Sequence, residues 1–112
     1  MKAAEQLDNV SAPLYIPSVV GFELWIGVQR VHRPRVEAER ITSFLDSYPV
    51  LSLTMADCKE AGVLDHELSR RGVVLPTVDL LLAGMARARS EILLTRDHAL
   101  LDLAPRVLAQ GY

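Results

Sequence analysis

The sequence is short of cysteine: Cys58 is the only one in 112 residues. That excludes an internal disulfide framework and any multi-thiolate zinc site built from this chain alone, and fits a reducing cytoplasm. No charge of one sign dominates, since twelve basic against fourteen acidic side chains leave a formal charge of −2. Overall charge therefore does not mark a nucleic-acid binder, and any such contact must be local. Residues 1–10 carry Lys2, Glu5 and Asp8 and lack the apolar core of a signal peptide. The longest apolar stretch, residues 14–28, is too short to span a membrane and is interrupted by Pro17 and Glu23. A soluble, cytoplasmic protein without membrane contact is the expectation. There is no Gly-rich phosphate loop, no serine or cysteine in a nucleophile motif, and no zinc spacing among His32, His66 and His98. Acyl-transfer and nucleotide-binding chemistry fall behind accordingly.

What remains is a globular balance, half apolar and 23% charged, in a length that suits one domain over residues 1–112. Residues 2–10 have helical character, and Leu14-Tyr15-Ile16 reads as a strand. Ser18 is placed to cap a helix over residues 19–31, which Pro34 ends by disfavouring helical geometry at Arg33. A second amphipathic helix covers residues 35–47, stopped by Pro49. Residues 50–53 read as a strand. Thr54 with Asp57 three residues on forms a capping-box pattern opening a helix that runs to Arg71, with Gly72 as its terminator. A very apolar helix follows from Val78 to about Arg89, then a strand over residues 91–95 and a short helix over residues 98–103. Strands alternating with helices imply an α/β fold with a parallel sheet covered on both faces. Ligands gather beyond the carboxyl ends of such strands, which directs attention to the residues after Ile16, Leu53 and Leu94.

Three carboxylates stand out. Glu23 is the only charged residue between Leu14 and Val28, and Asp79 the only one between Val73 and Met85. Both are expected to be buried, where a lone carboxylate costs on the order of several kcal/mol and calls for a partner or a function. Asp97 follows a strand at the functional end of the sheet. Such oxygens suit Mg²⁺ or Mn²⁺, which can activate water and neutralise charge on a phosphodiester. Local sequence offers each acid a second role: Asp79 with the helix dipole, Asp97 as an N-cap, Glu23 paired with Arg30 or facing solvent. The basic cluster Arg30, His32, Arg33 and Arg35 is either an RNA-backbone contact or a solvated loop, and the loop reading is favoured because no aromatic platform is interleaved with it. Trp25, on the helix of Glu23, reads as core or dimer contact.

Three segments, Ile16-Pro17-Ser18-Val19-Val20-Gly21-Phe22-Glu23-Leu24, Leu75-Pro76-Thr77-Val78-Asp79-Leu80-Leu81-Leu82-Ala83 and Leu93-Leu94-Thr95-Arg96-Asp97, resemble in order and spacing three motif regions of PIN domains, above all those of VapC-type toxins. The resemblance covers nearly the whole chain. It implies a three-layer α/β/α fold with a central parallel sheet, and a Mg²⁺- or Mn²⁺-dependent endoribonuclease acting on RNA as the toxin of a toxin–antitoxin pair. It further implies an antitoxin protein as partner, a homodimer, and Glu23, Asp79 and Asp97 as metal-site acids, with Thr95 as the accompanying hydroxyl that holds a carboxylate or a metal-bound water. One part of the family pattern is missing. PIN domains usually open with an apolar strand ending in Asp-Thr or Asp-Ser, and neither residues 1–15 as a whole nor Asp8 in particular supplies it, so the expectation is an N-terminally truncated PIN-like domain. The alternative is a non-catalytic PIN-like remnant that binds RNA or protein, or dimerises.

Overall fold

The computed structural model describes residues 14–103 and 106–111; the helix expected over residues 2–10 lies outside them. The chain divides between Ser52 and Leu53 into two compact units. The first contains β1 (Ile16–Pro17), α1 (Ser18–Val28), α2 (Pro34–Asp46) and β2 (Val50–Leu51). β1 and β2 pair in parallel, Ile16 opposite Val50 and Pro17 opposite Leu51. The helix pair forms the crossover that parallel strands require.

Local chemistry moves the boundaries from those expected. Pro17 rather than Ser18 takes the N-cap position of α1, extended at φ −63° and ψ 140° and without a side-chain cap bond, so Ser18 becomes the first helical residue. The proline ring fixes that φ in advance. α1 also stops three residues early, because the Gln29 and Arg30 N–H groups turn back to the Ile26 and Gly27 carbonyls at 3.2 and 3.1 Å and tighten the last turn. Pro34 does not merely precede α2 but begins it, at the position where a missing N–H costs nothing. Ile41 and Val28 are the buried residues of the two helices.

The second unit holds α3 (Met55–Ser69), α4 (Thr77–Ala88), β3 (Leu93–Leu94), α5 (His98–Leu101) and β4 (Ala109–Gln110). The capping box is present as the spacing predicts: the Thr54 N–H donates to Asp57 Oδ2 at 2.8 Å and the Asp57 N–H to Thr54 Oγ1 at 3.3 Å. Gly72, at φ 75°, provides the left-handed turn that ends α3. β3 pairs in parallel with β4, Leu93 opposite Ala109 and Leu94 opposite Gln110. β4 has no counterpart among the expected elements, since two residues carry no readable alternation.

Leu64, Leu68, Leu75, Ala83, Ala86, Leu100, Leu103 and Val107 form the core of this unit. Its tightest point is Gly84 on α4, where an added Cβ would lie 2.6 Å from Ala61 Cα on α3. Only a hydrogen fits there. At the rim of the same helix pair, Arg87 reaches Glu60 through Nε at 2.6 Å and Glu67 through both terminal nitrogens at 2.8 Å, and Arg106 adds a bond to Glu67 at 3.1 Å. The bidentate Arg87 bonds, with help from Arg106, lower the Glu67 carboxyl to about 2. Nearby, Asp57 is only 2% exposed and meets Arg89 at 3.0 Å. Burial pushes that carboxyl up, but the bonds from Arg89 and Thr54 outweigh it and hold the group below the usual carboxylate range.

Two glycines on the facing helices should respond oppositely to one methyl group. Gly84→Ala should lower unfolding stability by about 1–3 kcal/mol through overpacking. Gly62→Ala, in a helix with nothing within 4 Å, should raise it by about 0.5–1 kcal/mol. Urea midpoints check both, and equal shifts for the two variants would contradict the packing described.

Candidate functional site

α4 opens without a side-chain cap. Pro76 holds the N-cap position at φ −55° and ψ 150°, and Asp79 is the acid of the first turn. Asp79 is half-buried and makes no hydrogen bond or ion pair among the described residues. Burial, with the negative charge of Asp97 added, raises its carboxyl above the ordinary value. A helix N-terminus favours the ionised acid; burial first, and the charge of Asp97 second, work the other way here.

Asp97 is positioned by its own loop. It caps α5, with Oδ1 accepting the Ala99 N–H at 2.9 Å. The Thr95 hydroxyl accepts the Asp97 N–H at 3.0 Å, while the Thr95 N–H donates to the Gln110 carbonyl at 3.0 Å. Thr95 therefore ties the Asp97 loop to β4, the strand that the sequence did not reveal. The capping role and proximity to Asp79 coexist because only one oxygen of Asp97 is used by the cap among the described residues.

Glu23 departs from expectation. It lies on α1 in the first unit and is exposed rather than buried, and it forms no ion pair with Arg30. Its apolar neighbours do not enclose it, because Phe22 and Trp25 on the same helix are themselves 58% and 40% exposed. Isolation within an apolar stretch is thus a poor guide to burial when the stretch is a surface helix. Trp25 belongs to that exposed face and not to a core. The three histidines are exposed.

Among the described residues no three His, Cys, Asp or Glu side chains gather closely enough to hold a metal ion. Asp79 and Asp97, whose charges oppose each other at Asp79, carry oxygen donors of the kind a hard divalent cation takes. A groove of about 380 Å³ on α2 and another of about 470 Å³ lined by Leu68, Arg71, Leu75 and Leu103 include none of the three acids. Sequence reasoning missed the charged lattice of Glu60, Glu67, Arg87 and Arg106. Glu60 and Glu67 lie two turns apart on α3, a spacing that places them on one face.

The family model described as PIN domain matches residues 1–105. The tRNA(fMet)-specific endonuclease VapC of Shigella flexneri is 28% identical over 93 residues, covering 83% of this chain and 70% of that protein. Among solved structures, VapBC2 from Rickettsia felis bound to a DNA fragment from its promoter superposes with a TM-score of 0.84 at 22% identity, over 91% of this chain and 77% of that one. VapBC-1 from nontypeable Haemophilus influenzae gives 0.82 at 18% identity, over 96% and 82%. DNA-bound VapBC from Salmonella typhimurium gives 0.81 at 22%, over 87% and 74%. These structural likenesses bear out the α/β fold with parallel strands. Among the described residues, no helix is long and apolar enough to cross a membrane.

The raised carboxyl of Asp79 has a definite sign in stability. Between its ordinary value of 3.8 and its higher folded value, the native state binds more protons than the unfolded one, so this group's contribution falls as pH rises through that window. Asp79→Asn should therefore match the parent in acid and become increasingly more stable than it towards neutral pH. Thermal unfolding without divalent ions at several pH values reads this directly; a variant less stable than the parent at pH 7 would return Asp79 to a helix-dipole role.

Proposed function

The chain belongs to the PIN-domain family, and from that premise we propose that it acts as a metal-dependent endoribonuclease of VapC type, the toxin of a toxin–antitoxin pair. The observation that carries this reading is Asp79, a half-buried carboxylate with no hydrogen-bond or ion-pair partner among the described residues, whose ionisation is opposed by burial and by the charge of Asp97. Ionising it there works against the fold. Cation binding would offset that.

In this reading Asp79 and Asp97 hold Mg²⁺ or Mn²⁺, and Glu23 supplies a further acid. The bound ion would supply charge neutralisation at the phosphodiester and a more acidic water. The rest falls to the chain. Asp79, whose carboxyl burial and Asp97 raise above the ordinary value, would bind the ion in its charged form, so affinity would fall as acid protonates it. Thr95 fixes the Asp97 backbone through its hydroxyl and keeps the carboxylate at the end of β3. The exposed Phe22 and Trp25, one turn apart on α1, suit a protein partner, either a second copy in a homodimer or an antitoxin. A cytoplasmic location accords with this assignment.

A second reading, a non-catalytic PIN-like module that binds RNA or protein, is favoured by one observation: no group of three metal-binding side chains occurs among the described residues. Cleavage of single-stranded RNA by purified protein at millimolar Mn²⁺ separates the two. Activity should fall at least about a hundredfold in Asp79→Ala, as loss of a charge-stabilising group at a reacting centre does. Absence of cleavage in the parent, or equal cleavage in parent and Asp79→Ala, would favour the second reading.

A further inference from the structure

Most arginines that line the helix pairs are matched to an acid. Arg40 meets Glu37, Arg87 meets Glu60 and Glu67, Arg89 meets Asp57, and Arg106 meets Glu67. The turn between α1 and α2 is different. Arg30, His32, Arg33 and Arg35 are all exposed, and none of them has an ion pair or a side-chain hydrogen bond among the described residues. Glu37, the nearest acid along the chain, is turned to Arg40 at 3.4 Å.

Fold stability does not account for this cluster. Arg30 follows the C-terminal end of α1, where a cation is favourable. Arg33 and Arg35 flank the start of α2, where the helix dipole opposes positive charge. By contrast, Arg70 and Arg71, also exposed, sit at the C-terminal end of α3, where the dipole explains them. In a chain of formal charge −2, Arg33 and Arg35 at the unfavourable end of α2, with Arg30 and His32 exposed beside them and no partner for any of the four among the described residues, point to an external anion.

We propose that the α1–α2 turn is a docking surface for the phosphate backbone of single-stranded RNA, separate from the acids at Asp79 and Asp97. The partner is a nucleic acid because the surface offers long cationic arms in an open turn, and guanidinium groups grip phosphates without shape complementarity. An acidic protein anchored on the exposed Val31 and Val36 beside them is the outcome that competition by a polyanionic peptide would reveal. The sequence alone favours a solvated loop here. The structure alters that balance by showing that the pairing of Arg40, Arg87, Arg89 and Arg106 is not shared by this turn. This inference rests on the ribonuclease reading only for the choice of RNA as the polyanion.

The test is binding, not cleavage. Fluorescence anisotropy of a labelled mixed-sequence RNA 20-mer is measured in EDTA with the full chain, with a triple variant Arg30→Gln, Arg33→Gln, Arg35→Gln, and with a control Arg70→Gln, Arg71→Gln at exposed arginines elsewhere. The triple variant should lose affinity, and the slope of log K against log salt should become shallower by about 2, since each phosphate contact to a single strand contributes about 0.7. The Arg70→Gln, Arg71→Gln control should retain the parent slope. Circular dichroism confirms that all three fold alike, and the single variant Arg33→Gln, with a slope change of about 0.7, serves if the triple variant does not fold. An unchanged slope in the substituted protein overturns the proposal. So does polyglutamate displacing the RNA at equal charge concentration, which would mark the turn as an acidic-protein site. If the parent binds RNA through this turn yet cleaves none, the ribonuclease reading fails while the docking surface stands.

Discussion

The contact at Gly84 sets the geometry of the second unit. A helix pair in which a single Cβ would come within 2.6 Å of a backbone atom is fixed in separation, because steric repulsion rises too steeply for the helices to close further. Leu64, Ala83 and Ala86 pack around that approach, and the guanidinium of Arg87 ties the rim to Glu60 and Glu67. With α4 so held, its first turn is held too, and Asp79 is carried on it. The second acid is placed by a different route: Thr95 links the end of β3 to Gln110 on β4, and Arg106, just before that strand, bonds Glu67 on α3.

The two routes carry Asp79 and Asp97. Elsewhere in this unit Asp57, Glu60 and Glu67 are bonded to arginines. Asp57 is more buried than Asp79, yet its pKa moves down because Arg89 and the Thr54 backbone N–H bind its charged form. Asp79 has neither kind of partner among the described residues and moves up. Two acids of one unit thus shift in opposite directions, one held by donors to its charged form and the other without them.

Much of this arrangement could be read from the residues. Thr54 and Asp57 announced their capping box, Gly72 its turn, and the alternation of elements the parallel pairing. The motif resemblance led to the family and singled out Asp79 and Asp97. Burial was the weakest inference, as Glu23 illustrates: its apolar surroundings are sequential, and on a helix that exposes Phe22 and Trp25 they do not become a core. The lattice of Glu60, Glu67, Arg87 and Arg106 joins residues up to 39 positions apart, a pairing that no local pattern encodes. β4 escaped notice because two residues supply no period, and with it went the support for Thr95.

We propose that Asp79 and Asp97 together form one site suited to a divalent cation. Carboxyl-carbon NMR titration of Asp79 in the parent and in Asp97→Asn, each with and without Mg²⁺, tests it most directly. Asparagine preserves the cap of α5 while removing the charge. The account predicts that Asp79 titrates above the ordinary aspartate value in the metal-free parent, moves down when Asp97 loses its charge, and moves down in the parent on addition of Mg²⁺. An ordinary value for Asp79 that neither Asp97→Asn nor Mg²⁺ changes would contradict it.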